Sequence, residues 1–198
     1  MENWQTGDLI LFHSKTTIFG RLIQLFTGSQ YSHIGVVLKD PKFTEKPLIG
    51  MFLWESSDEY FGDAEDHKFK IGVEIVDLNK VIHTNSTNMD LYHRKLTLSE
   101  SFKLDEQKLK EIYSIVHNKP YDIVPKDWIE AFFRKDSDPQ KTDRFWCSAL
   151  VGYIYTKLGL LPSETDWSMM RPSDFSTENK NLPLLHSSLG PETYVSPN

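Results

Sequence analysis

Two apolar rhythms divide the chain. Leu9-Ile10-Leu11-Phe12 and Ile34-Gly35-Val36-Val37-Leu38 are short, continuous apolar runs of the kind that form buried strands. Gly7-Asp8 places a turn ahead of the first, and we expect the two strands to pair. Phe52-Leu53-Trp54-Glu55-Ser56 reads as a third strand. The run Ile71-Gly72-Val73-Glu74-Ile75-Val76-Asp77-Leu78 alternates as a fourth, and residues 89–96 fit a fifth.

Helical spacing appears elsewhere. Ile18, Phe19, Leu22, Ile23, Leu25 and Phe26 form a broad stripe that reads as a short helix packed on the sheet, with membrane-surface contact as its other use. Leu104, Leu109, Ile112, Ile115 and Val116 repeat at helical spacing, with Asp105 and Glu106 at the expected N-terminus and Lys119-Pro120 beyond the end. A further helix is expected from Pro125, carrying Trp128, Ile129, Phe132 and Phe133. Leu150, Val151, Ile154, Tyr155 and Leu158 mark a late helix that Gly159 stops. The polar residues 58–70 read as a loop whose charges serve solvation rather than a metal site, and the stretch from Ser163 onward reads as an irregular wrap. Strands and helices thus mix in an α+β chain of one domain, residues 1–198.

Composition narrows the function classes. With 198 residues, 39% of them hydrophobic, the chain can bury a substantial core. A net charge of −6 and scattered basic residues leave no stripe for a nucleic-acid backbone, so no nucleic-acid partner is expected. A single cysteine excludes an intrachain disulfide framework, and Met1-Glu2-Asn3-Trp4-Gln5 lacks the pattern of a secretory signal. A cytoplasmic setting is the expectation. No apolar run approaches the roughly 18 residues of a transmembrane helix. The histidines show no HExxH spacing and no paired cysteines, so neither a metal site nor a cofactor is expected. No Gly-x-Ser-x-Gly elbow or phosphate-binding glycine loop occurs.

The remaining chemistry centres on Cys147, which opens the late helix. In a first helical turn, unpaired N–H groups and the helix dipole favour a thiolate. A buried structural thiol would fit the same position, so the question is whether the chain supplies a base. His33 stands at the start of an otherwise apolar strand, held by the sheet rather than by a loop. Glu55, on the third strand, is the natural group to orient its ring. Asp8 reads as a turn former.

Six motifs now occur in one order: Gly7-Asp8-Leu9-Ile10, Ser32-His33-Ile34-Gly35-Val36-Val37, Trp54-Glu55-Ser56, Lys119-Pro120-Tyr121-Asp122, Trp146-Cys147-Ser148-Ala149-Leu150 and Arg171-Pro172-Ser173-Asp174-Phe175. That order resembles the circularly permuted NlpC/P60 papain-like superfamily, particularly its YiiX-like and poxvirus-type members, over about residues 4–175. The resemblance implies a small antiparallel sheet packed against helices, with the nucleophile at a helix N-terminus and residues 176–198 as an irregular tail. It further implies Cys147 as nucleophile, His33 as general base and acid, and Glu55 as orienting residue. Tyr31, Ser32, Ser148, Trp146 and Pro172 are candidates for a second oxyanion donor or for the pocket wall, with Tyr31 equally able to cap the core. Arg171, Pro172 and Asp174 either shape the pocket or anchor the tail.

The expected function is a cysteine peptidase or amidase acting through a thioester on a peptide, isopeptide or lipid-linked amide. Lecithin retinol acyltransferase-like proteins share the permuted layout, but they carry an Asn-Cys-Glu-His-Phe type motif and a second histidine. Phe145-Trp146-Cys147-Ser148-Ala149 and Glu55 depart from that pattern. A lipid acyltransferase and a non-catalytic binding domain on the same fold stay open as alternatives.

Overall fold

The computed structural model describes residues 3–16, 29–57, 61–122 and 142–197. Within them the chain is α+β, built on a six-stranded antiparallel sheet. The strands are β1 (Leu9–Ser14), β2 (His33–Lys39), β3 (Met51–Ser57), β4 (Gly72–Asp77), β5 (Met89–Leu98) and β6 (Ser187–Tyr194), in the order β4-β3-β2-β1-β5-β6. The helices are α1 (Leu78–Asn85), α2 (Glu106–Val116) and α3 (Cys147–Leu158). Two 3₁₀ turns follow, at Trp167–Met169 and Pro172–Phe175.

The continuous apolar runs of β1 and β2 have a direct cause: both faces of the sheet are covered. Leu9 and Leu11 join a core with Leu109 and Ile112 of α2 and Leu150, Val151 and Ile154 of α3. Ile10 and Phe12 point the other way, into a second core with Leu78, Val81 and Ile82 of α1. β1 pairs with β2 from Leu9↔Val36 to Phe12↔His33, which puts His33 at the end of the shared ladder.

The expected strands and the two helices that fall in described residues are present within a few residues of the expected ends. Gly159 closes α3 in the left-handed conformation at φ 79°. The expected helices at residues 18–26 and from Pro125 lie outside the described residues.

Three expectations need correction. The fourth strand stops at Asp77, whose carboxylate accepts from the N–H groups of Asn79 and Lys80 and starts α1 instead. The tail is not irregular throughout, because β6 pairs with β5 from Leu98↔Ser187 to Tyr92↔Tyr194. Arg94 secures it, donating to Gly190 O, Leu189 O and Phe175 O at 2.7, 3.0 and 2.6 Å. Nor are the charges of residues 61–70 simply solvated. Buried Asp63 accepts from Glu65 N and Ile75 N and pairs with Lys70 at 3.0 Å. Glu65 accepts from Glu45 N and the Tyr113 hydroxyl. Here charged side chains replace backbone partners that a loop would otherwise lack.

Among the described residues no helix is long and apolar enough to cross a membrane.

Candidate active site

Each part of the site is held by a separate element. Cys147 is the first residue of α3, a helix whose N-cap, Trp146, makes no side-chain capping bond. First-turn N–H groups therefore have no side-chain acceptor from the cap position. The segment before it is tied to the sheet: Phe145 bridges Tyr121, and the Ser56 hydroxyl donates to Phe145 O at 2.6 Å. Tyr121 belongs to the Lys119–Asp122 run, which in turn bridges β4 through Gly72 and Pro120. A Cβ on Gly72 would meet Lys119 O at 2.2 Å, and its φ is +144°, so only glycine allows that approach. Behind α3, a Cβ on Gly152 would strike Met170 Sδ at 2.8 Å and Trp167 Cβ at 3.0 Å. The helix therefore sits close against the Trp167–Met169 turn, and the nucleophile candidate is braced from both sides.

His33 and Glu55 come from neighbouring strands. The Nε2 of His33 donates to Glu55 Oε2 at 2.5 Å, and Cys147 is near enough to act on the ring's charge. The Phe12 ring meets His33 edge-on at 4.9 Å, limiting its rotation. Glu55 and Cys147 are buried, and the His33 side chain is 17% exposed. Burial alone would disfavour the imidazolium. The charges of Cys147 and Glu55, and hydrogen bonds to both, outweigh it and raise His33 well above its ordinary value.

The remaining candidates divide. Tyr31 is buried and packs edge-on against Tyr92 at 5.9 Å, and burial, then Glu192 and Tyr92, pushes its hydroxyl up. Its surroundings are those of a core residue. Ser32 donates from both its N–H and its hydroxyl to Phe12 O, at 2.8 and 3.2 Å. The Ser148 hydroxyl and the Trp146 indole both donate to Met170 O, at 2.7 and 3.4 Å. Pro172 opens the second 3₁₀ turn, where Arg171 N donates to Asp174 Oδ2 at 2.8 Å. These polar contacts anchor the chain around α3.

Two features escaped sequence reasoning. Asp8 does more than form a turn, since it accepts from His93 Nε2, Leu96 N and Gln5 N at 2.7, 2.9 and 3.1 Å. Glu74, read only as a strand residue, is fully buried directly opposite Glu55. An acidic residue at an inward position of an alternating strand was the available signal. Among the described residues no cluster of three or more His, Cys, Asp or Glu could hold a metal ion.

No protein-family model matches this chain, and no curated protein matches it. Among solved structures it is similar to the metalloprotein yiiX from Escherichia coli O157:H7, at 20% sequence identity and a TM-score of 0.47, covering 97% of this chain and 96% of that chain.

Proposed function

We propose that this chain is a cysteine hydrolase of the permuted papain-like type, cleaving an amide or ester bond through a thioester. The observation that carries this reading is His33 paired with Glu55 at 2.5 Å, with Cys147 near enough to act on the same ring. Glu55 fixes the ring with Nε2–H toward the carboxylate, so the other nitrogen serves sulfur. With its pKa raised, the ring already holds the proton taken from Cys147 when sulfur adds to the substrate carbonyl, then delivers it to the leaving amine or alcohol. Water, deprotonated by the same ring, attacks the thioester and frees the acid and the thiol. The backbone N–H of Cys147, at the open helix start, is the first oxyanion donor. The Glu55 carboxylate, at 2.5 Å from Nε2, stabilises the imidazolium that each proton transfer involves.

Iodoacetamide labelling of the folded chain tests the reading. Wild type should label near neutral pH, Cys147→Ala not at all, and His33→Ala at a rate lower by about 10²-fold or more. A Cys147 that stays silent in folded wild-type protein would sink the enzyme reading in favour of a binding domain. Incubation with phospholipid separates hydrolase from lipid acyltransferase, since an acyl group left on Cys147 would favour the latter.

A further inference from the structure

Glu74 lies directly across the β3–β4 ladder from Glu55. Their side chains therefore share one face of the sheet, with Cβ atoms about 5 Å apart. Glu74 is fully buried and Glu55 nearly so. Like charges directly opposite each other are destabilising, and Glu55 is already committed to His33. Both carboxyl oxygens of Glu74 are buried without a hydrogen-bond partner among the described residues. An anion there would lose its hydration and gain little in return. The charged and titratable groups that act on it are Glu55 from β3, His33 from β2, and Asp63 and Lys70 from the loop before β4. Burial, then repulsion from Glu55 and Asp63, outweighs the pull of Lys70 and His33 and pushes the carboxyl up to about 9.

We propose that Glu74 is a positioning residue of the site: as an uncharged acid it leaves the Glu55–Glu74 pair a single charge, on Glu55, which then holds His33 toward Cys147. This deepens the cysteine-hydrolase reading and rests on it. Ionisation of Glu74 adds a second carboxylate to the pair, and His33 is the group that feels the change. A filler residue at the same position would transmit nothing to the ring.

The full chain carrying isotope-labelled histidine is titrated by NMR, with the His33 signals assigned by their loss in His33→Ala. Wild type should show a step near pH 9 at the His33 ring, and Glu74→Gln should lack it. Superposable His33 curves in the two proteins would overturn the proposal. If Glu74→Gln does not fold, infrared spectra of wild type decide. A protonated-carboxyl carbonyl band present at neutral pH and gone above pH 9 supports the proposal, and its absence at neutral pH overturns it. Alkylation of the same samples separates the two failures. A reactive Cys147 without the alkaline step defeats Glu74's role alone, whereas a silent Cys147 removes that role together with the hydrolase reading.

Discussion

His33–Glu55 and His93–Asp8 are the same pair of chemical groups at 2.5 and 2.7 Å, built into one sheet in different surroundings. In the second pair the carboxylate is saturated, since Asp8 also accepts from Leu96 N and Gln5 N. Its histidine is covered by Trp4, stacked at 4.2 Å and within 4° of parallel. Around the first pair the carboxylate serves the ring, while Cys147, on a separate helix, acts on the ring's charge. On the reading proposed above, the same pair is a structural staple in one place and part of a reactive site in the other, according to what surrounds it.

The comparison breaks most visibly at the thiol. His33→Ala should cost alkylation of Cys147 about 10²-fold or more, the residual rate rising only toward alkaline pH as for an unassisted thiol. His93→Ala should change that rate by no more than about threefold, since its partners are all structural. If the two substitutions cost the same reactivity, the distinction between the pairs is wrong. Glu55→Gln should lower the rate by about tenfold, because the ring keeps a neighbour but loses the charge that favours its protonated form.

Stability should run the other way. Asp8→Ala leaves Leu96 N, Gln5 N and the His93 ring without their acceptor, and urea unfolding should show a loss of about 2–5 kcal/mol. Trp4→Ala exposes His93 and should cost about 1–2 kcal/mol.

Glu74 sharpens the contrast through pH. Its carboxyl holds a proton in the folded chain up to about pH 9 but only to about 4.5 in the ordinary state. Between those values the native state binds more protons than the unfolded one, so this group's contribution is complete below pH 4.5 and is lost as pH rises toward 9. Glu74→Gln should flatten the fall in unfolding free energy across that window and raise stability at neutral pH by about 1–3 kcal/mol. An unchanged slope would show that Glu74 ionises normally.

Much of this was legible locally. The strands β1 to β5 and the helices α2 and α3 follow from apolar period and caps, because those patterns reflect burial on one or two faces. β6 was not legible. Ser187-Ser188-Leu189-Gly190-Pro191-Glu192-Thr193-Tyr194 has little apolar content and contains both Gly and Pro, so it becomes a strand only because β5 offers a free edge and Arg94 gathers its carbonyls. α1 was hidden because Leu78 continues the apolar alternation of β4, while Asp77 turns the chain by capping. His93 looked like one histidine among seven, since nothing near it in sequence announces Asp8.

The sequence by itself determined the α+β class, the paired strands β1 and β2, and the choice of Cys147, His33 and Glu55 as residues to watch, because periodicity and helix caps act over a few residues. Only the tertiary structure decided which histidine has sulfur for a neighbour, that Asp8 is spent on backbone N–H groups, and that Glu74 faces Glu55. Those outcomes depend on strand register and helix docking, which bring residues dozens of positions apart within hydrogen-bond distance, and on the burial that sets each group's charge.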